Sequence, residues 1–193
     1  MEISVIIPLY NKALYIIRAI DSIMHQASSV SEIIVVDDGS IDNGYAIVAN
    51  LALQNKKIKL YKQENRGVSF TRNRGVQLAT SAFVAFLDAD DEWKPDYLSH
   101  IHRLYNNFPD CGAYATSYIV LNDNDKHTYP KFNEIPPEPW IGIVPNLFEA
   151  LQTSSLFYTS SIVMSKPAFE DLGGFPEGVK RGEDLVLWIR LGM

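Results

Sequence analysis

Apolar positions over the first 110 residues follow two alternating rhythms. Ile3 to Leu9 is a short apolar run broken by Pro8, which predicts a buried strand ending in a turn. From Ala13 to Ala27 the apolar residues Leu14, Ile17, Ala19, Ile20 and Ile23 fall at helical spacing. Ile33 to Val36 is a second buried run, closed by Asp37-Asp38-Gly39-Ser40, after which Asp42 caps a helix to about Gln54. Ile58 to Tyr61 is a third strand, and Gly67 opens a helix to about Ala79. Phe83 to Leu87 is a fourth strand, ending in Asp88-Ala89-Asp90-Asp91, and Pro95 sits in the first turn of a helix to about Asn107.

Strand and helix thus alternate four times. Continuous apolar strands between amphipathic helices predict an α/β fold with a mostly parallel sheet flanked by helices on both faces. Ligands of such sheets bind outside the carboxyl ends of the strands. Here three of those ends carry polar chemistry: Pro8-Leu9-Tyr10-Asn11, Asp37 to Ser40, and Asp88 to Asp91.

The second half is less regular. Ala113 to Leu121 reads as a strand, and residues 122–145 as a loop or lid holding five of the ten prolines. Thr159 to Met164 reads as a strand, Pro167 starts a short helix ending at Gly173-Gly174, and Glu183 to Leu191 begins an apolar helix. That helix stops at Met193 without a polar tail or cap, which predicts a chain trimmed at its C-terminus from a longer protein. There is no internal repeat and no low-complexity tract.

Composition narrows the picture. The chain has 193 residues, 47% of them apolar, which fits a single domain with a normal core and excludes wholesale disorder. Acidic residues outnumber basic ones, 23 to 17, for a net charge of −6, so no nucleic-acid partner is expected. The single cysteine, Cys111, allows no internal disulfide. No apolar run approaches the roughly 18 residues of a membrane span. Glu2 stands where a signal peptide carries positive charge. The expected location is cytoplasmic, with attachment to the inner face of a membrane through segments outside this chain left open.

Four groups of residues are candidates for chemistry. Asp88 and Asp90, two apart, point to one side of an extended backbone, roughly 6–7 Å apart. Carboxylates so placed repel unless a cation joins them, and hard oxygen ligands select Mg²⁺ or Mn²⁺ together with substrate phosphate; the competing reading is a solvated turn. Asp37 and Asp38 are ordinary turn residues, or acceptors for a base N–H or a ribose hydroxyl. Gly67 and the Arg72-Asn73-Arg74-Gly75 segment offer either an anion site near Arg66 or a solvated basic helix face. Glu183 and Asp184 favour a first helical turn, and a carboxylate there is also a candidate general base.

No P-loop pattern and no G-x-G-x-x-G after the first strand are present. His100 and His102 lie on different helix faces, against a shared metal. Thr153-Ser154-Ser155 and Thr159-Ser160-Ser161 read as turn residues before sugar contacts, and Trp93, Trp140 and Trp188 as packing before stacking on a sugar.

Taken together, six segments resemble the family 2 glycosyltransferases, inverting enzymes of the GT-A fold. They are Val5 to Asn11, Glu32 to Ser40, Asn65 to Ser69 with Arg72 to Gly75, Phe86 to Asp91, Gly173-Gly174-Phe175, and Gly182-Glu183-Asp184 with Leu187-Trp188. Their order and spacing span nearly the whole chain, while 122–145 lies where family members vary in acceptor recognition. The resemblance implies a Rossmann-like GT-A domain over 1–193, with a nucleotide-sugar-binding half (1–110) and a smaller acceptor-side region (111–193).

It also implies roles. Asp38 contacts the base, with Asp37 beside it, and Pro8 and Tyr10 line the nucleotide pocket. Arg72 approaches the donor phosphates or the metal-site carboxylates. Asp88 holds the ribose or a metal-bound water, and Asp90 ligates Mn²⁺ or Mg²⁺, with Asp91 ambiguous because it shifts the acidic pair by one. Asp184 is the catalytic base and Glu183 its neighbour. The implied reaction moves a sugar from a nucleoside-diphosphate sugar, UDP-linked by expectation, to an acceptor hydroxyl in one inverting displacement. Implied acceptors are saccharides, lipid-linked carriers or proteins, as in polysaccharide and cell-envelope synthesis. Two alternatives stay open at this point: a sugar-nucleotide-forming nucleotidyltransferase, which lacks its Gly-rich basic loop here, and a nucleotide-sugar-binding module without turnover.

Overall fold

The alternation of apolar runs builds one six-stranded sheet in a computed structural model that describes residues 1–121, 127–132, 135–137, 139–153, 155–179 and 181–193. The strands are β1 (Ile3–Leu9), β2 (Glu32–Asp37), β3 (Ile58–Lys62), β4 (Phe83–Phe86), β5 (Ala113–Ala115) and β8 (Ile162–Ser165). They lie in the order β3-β2-β1-β4-β8-β5. The first four are mutually parallel, while β8 runs antiparallel to both β4 and β5. β6 (Val120–Leu121) and β7 (His127–Thr128) form a separate two-stranded ladder. The helices are α1 (Ile16–Met24), α2 (Gly44–Gln54), α3 (Val68–Leu78), α4 (Tyr97–Asn107), α5 (Leu147–Thr153), α6 (Lys166–Asp171) and α7 (Glu183–Leu191).

The period of two in β1 splits its side chains between two cores. Val5, Ile7 and Leu9 pack on one face with Ile16, Ile20 and Ile23 of α1 and Leu98 and Ile101 of α4. Ile6 packs on the other with Val76 of α3, Phe86, Phe169, Phe175, Leu187 and Trp188. Both faces are covered, which is why the strands read as unbroken apolar runs rather than alternating ones. α3 lies close on β1 because Gly75 has no side chain: a Cβ there would stand 2.3 Å from Ile6 Cγ2.

Several boundaries differ from the sequence reading: α4 starts at Tyr97, after Pro95 rather than around it, and residues 159–161, expected as strand, form a 3-10 turn before β8. The helix expected from Ala13 starts at Ile16, after a turn in which the Lys12 carbonyl accepts from the Tyr15 and Ile16 N–H groups. Asp42 does not cap α2 directly; its carboxylate accepts from Gly44 N–H and, across the loop, from Ala13 N–H. The strand expected over 113–121 is two short pieces, because only 113–115 finds a partner in β8. Within the 122–145 loop, residues 122–126, 133, 134 and 138 lie outside those described, as does Ser154 of the 153–155 group.

At the edge away from the ligand end, Glu32 begins β2 and is 2% exposed. Its Oε1 accepts from Ser4 Oγ at 2.6 Å and from the backbone and hydroxyl of Thr80 at 2.7 Å, and its Oε2 meets Lys59 Nζ at 2.5 Å. Burial opposes its ionisation. The bonds from Lys59, Ser4 and Thr80 outweigh that and hold the carboxyl at about 2, against an ordinary value of 4.5. A depressed carboxyl stabilises the fold above its unfolded value and loses that contribution as pH falls through 4.5 towards 2. Glu32→Gln is therefore expected to lower the unfolding free energy by about 2–3 kcal/mol at pH 7. Chemical denaturation at pH 7 and pH 3 checks this: the difference between variant and wild type should shrink at the lower pH.

Candidate functional site

The carboxyl ends of β1, β2 and β4 meet at one edge, and side-chain hydrogen bonds tie their exit turns together. Asn11 adopts a left-handed backbone (φ 53°), which Asn tolerates better than most residues. Its N–H donates to Ser40 Oγ, and its side-chain oxygen accepts from Ile41 N–H. The Asp38 N–H donates to the Leu9 carbonyl at 2.8 Å. Pro8 lies in β1 opposite Val36, and Tyr10 stands 48% exposed at the rim.

The two aspartates after β2 part ways. Asp37 is fully buried; one oxygen receives a 3.3 Å bond from Ser40 N–H, and Oδ2 has no partner among the described residues. Asp38, 3% exposed, accepts from Gln63 Nε2 at 2.7 Å and from the N–H groups of Arg66 and Gly67 at 2.9 Å. The amides at the start of α3, expected to receive an external anion, thus already hold the chain's own carboxylate.

The acidic motif is a turn, not an extended segment. β4 ends at Phe86, and the Asp91 N–H donates back to the Asp88 carbonyl at 3.0 Å. The segment is therefore not extended as expected, and Asp88 and Asp90 each meet a different cation. Arg72 Nη2 donates to both Asp88 oxygens, at 2.7 and 3.0 Å, while its Nη1 donates to Glu183 Oε1 at 3.0 Å. Its guanidinium, 5.1 Å from the Phe175 ring centroid, sits in a side chain only 4% exposed. Burial disfavours that charge, but Asp88 and Glu183 more than restore it, so Arg72 stays protonated throughout. Of the acidic turn, Arg72 bonds Asp88, and its other partner is Glu183.

Asp90 instead meets Lys12 Nζ at 2.5 Å, and its carbonyl accepts from Arg18 Nη2. Asp91 accepts from Ser160 Oγ at 2.5 Å, and Ser160 Oγ accepts in turn from the Asp88 N–H. Burial, with Asp88 and Asp90 adding, pushes the Asp91 carboxyl up despite that bond. Because β8 runs antiparallel to β4, its N-terminal end and the 3-10 turn before it (Thr159–Ser161) arrive beside the acidic turn. Ser160 is thus a brace for that turn. Its carbonyl also accepts from Trp93 Nε1 at 2.7 Å, so Trp93 is packed, as is Trp188.

Arg72 links the acidic turn after β4 to α7. Glu183 opens α7, and Asp184 follows in the same first turn, half-buried, with Oδ1 accepting from Leu185 N–H at 2.8 Å. Arg72, Asp88 and Glu183 are joined directly; Asp37 and Asp38 lie at the exit of β2 and Asp90 in the turn after β4, and Asp184 adjoins Glu183 in the first turn of α7. Lys12, Arg18 and Gln63 join these residues without having stood out in the sequence; Lys12 and Gln63 are polar residues just after a strand exit, and Arg18 lies in the first turn of α1. His100 pairs with Asp96, which precedes the first turn of α4, at 3.2 Å.

Among the described residues no three His, Cys, Asp or Glu side chains gather closely enough to enclose an ion alone. The donor set still suits Mg²⁺ or Mn²⁺, which commonly take one or two carboxylates and complete their shell from substrate phosphate and water. Asp88 and Asp90 are hard oxygen donors at the ligand edge, partly exposed (33% and 43%), and Asp90 already carries a cation in Lys12.

The mostly parallel sheet flanked by helices is an α/β fold of the GT-A type, and comparison with known proteins agrees. The chain belongs to glycosyl transferase family 2, whose profile matches residues 4–173. It is 42% identical over 127 residues to an uncharacterized glycosyltransferase of Nostoc sp., covering 65% of this chain and 39% of that protein. It is 30% identical over 192 residues to one of Rickettsia conorii, covering 98% of this chain and 30% of that protein. The chain therefore spans well under half the length of these relatives. S. aureus TarS 1–349 shares the fold, with a TM-score of 0.72 at 22% identity over all of this chain and 55% of that one. So does the mannosyltransferase PcManGT of Pyrobaculum calidifontis, with a TM-score of 0.69 at 24% identity over 96% of this chain and 50% of that one.

Proposed function

We propose that this domain transfers a sugar from a nucleoside-diphosphate sugar to an acceptor hydroxyl, in a single inverting displacement assisted by a divalent ion. The observation that carries the reading is the Asp88–Arg72–Glu183 chain of ion pairs. It fixes Asp88, on the donor side, relative to the first turn of α7, where a general base is available. Fold neighbours support the donor class: TarS has been solved with UDP and with UDP-GlcNAc, and PcManGT with GDP-Man and Mn²⁺. A uridine nucleotide is our assignment for this chain, and the acceptor class we assign is a saccharide or lipid-linked saccharide.

The residues then divide the work. Pro8 and Tyr10 line the nucleotide, with Asp37 and Asp38 at the base. Asp38 acts there through the Arg66-Gly67 turn it holds and through any oxygen lone pair left to the ligand. Arg72 keeps Asp88 aimed at the donor and Glu183 in place. Asp90 would hold Mn²⁺ or Mg²⁺, which when bound supplies positive charge to the leaving diphosphate as its oxygen gains negative charge, with Asp88 on the ribose or a metal-bound water. Asp184 takes the proton from the acceptor hydroxyl. Glu183, tied to Arg72, is the less available of the two carboxylates.

Asp90→Asn tests the donor half of the assignment. Calorimetric titration of UDP into wild type should show affinity rising at least tenfold with Mn²⁺ over EDTA. In the variant most of that gain should vanish, while the affinity in EDTA stays near wild type. An Mn²⁺ gain that survives in Asp90→Asn would remove Asp90 from the metal site.

A further inference from the structure

We infer that Lys12 is the resident cation of Asp90 and competes with the divalent ion for it, so that this lysine sets how readily the site takes up metal. The inference rests on the assignment of Asp90 as a metal ligand. The two carboxylates of the acidic turn are held in physically different ways. Asp88 is gripped at both oxygens by Arg72, a 4%-exposed guanidinium that also anchors Glu183 and has nowhere else to go. Asp90 is held at one oxygen by Lys12, and both side chains of that pair are about 40% exposed. Ion pairs this open to water are weak and exchange readily.

The surroundings suit exchange. The Lys12 backbone is fixed: Asn11 before it is bonded to Ser40 and Ile41, and the Lys12 carbonyl caps the start of α1. Only the flexible four-carbon arm and its ammonium have freedom to move. Asp90, for its part, keeps its backbone position without Lys12. Arg18 Nη2 holds the Asp90 carbonyl and Arg18 Nε meets Glu92 at 3.3 Å. A divalent ion arriving at Asp90 Oδ2 meets a like charge already there, and the two repel at contact distance. The metal must displace the ammonium. Its apparent affinity is lowered by the fraction of time Lys12 occupies the carboxylate, as for any competing ligand.

The test is a titration of MnCl₂ alone into the protein without nucleotide, at fixed ionic strength, following free Mn²⁺ by electron paramagnetic resonance. Wild type, Lys12→Met, Lys12→Arg and Asp90→Asn are compared. Lys12→Met should bind Mn²⁺ roughly fivefold or more tightly than wild type. Lys12→Arg, which keeps the charge, should stay within about twofold of wild type. Lys12→Met binding Mn²⁺ no more tightly than wild type overturns the inference, and so does an equal gain in Lys12→Arg, which would trace the effect to shape rather than charge. Asp90→Asn separates this from the underlying assignment. If Asp90→Asn binds Mn²⁺ as wild type does, Asp90 is no ligand and both ideas fall; if it binds at least tenfold more weakly while Lys12→Met gains nothing, only the competition falls. Circular dichroism melts confirm that each variant is folded, and the exposure of Lys12 makes loss of fold at that position unexpected.

Discussion

Arg72→Met should abolish sugar transfer and lower the unfolding free energy by about 3 kcal/mol. Truncating one member of a buried ion-pair network leaves its partners charged and uncompensated, which typically costs about 3–5 kcal/mol. The lower figure applies here because Asp88 is one-third exposed and can recover some hydration. The functional loss is larger than stability explains, because Arg72 is bonded to both Asp88 and Glu183. Arg72→Lys separates the two effects. It keeps the positive charge but replaces a planar fork with a single ammonium, which cannot reach both carboxylates along the same directions. Its melting temperature should fall by only a few degrees. Its kcat should still fall by about 100-fold, the penalty for misplacing reacting groups by roughly 1 Å. Turnover by Arg72→Lys at the wild-type rate would mean that the network is a matter of stability alone.

Asp184→Asn should reduce kcat by about 1,000-fold, within the range of roughly 10²–10⁴ ascribed to general base catalysis. UDP affinity should be unchanged. The substitution is conservative in structure: the asparagine oxygen can still accept from Leu185 N–H at the start of α7, so the melting temperature should hold. A domain that only holds nucleotide would show no turnover in wild type either, so the pair of proteins also separates an enzyme from a binding module. Turnover by the variant at the wild-type rate would move the base elsewhere, with Glu183, released from Arg72 by substrate, the first candidate.

The parallel half of the fold was legible in the sequence because strands buried on both faces leave unbroken apolar runs such as Ile33 to Val36. The antiparallel edge was harder to read. β5 is three residues long and owes its existence to pairing with β8, some 50 residues on, which no local pattern announces. α5 went unread for a similar reason: it follows a proline-rich stretch and contributes Ala150 and Leu151 to a core that only the assembled sheet defines. The site was legible as chemistry and not as connectivity. Acidic residues at strand ends stand out, but that Asp38 would turn back to cap the start of α3 depends on residues 25 to 29 positions away. The Arg72–Glu183 pair joins residues 111 positions apart. The extended D-x-D geometry was overridden by a local turn, with the Asp91 N–H closing on Asp88 and Ser160 holding the other side. Lys12 carries no motif value in the sequence, yet it pairs with Asp90, the carboxylate we assign to the metal.

The central claim is that one edge of the sheet, bearing Asp38, Asp88, Asp90 and the start of α7, binds a nucleoside-diphosphate sugar together with a divalent ion. Its most direct test is thermal denaturation of the wild-type domain against a panel of sugar nucleotides, each with Mn²⁺ and again with EDTA. A ligand at 100 times its Kd adds about 2.7 kcal/mol by mass action, which for a domain of this size corresponds to roughly 5 °C or more. We predict a rise of that order for at least one uridine-linked sugar in Mn²⁺, largely lost in EDTA. No shift with any sugar nucleotide, in either condition, would contradict the account.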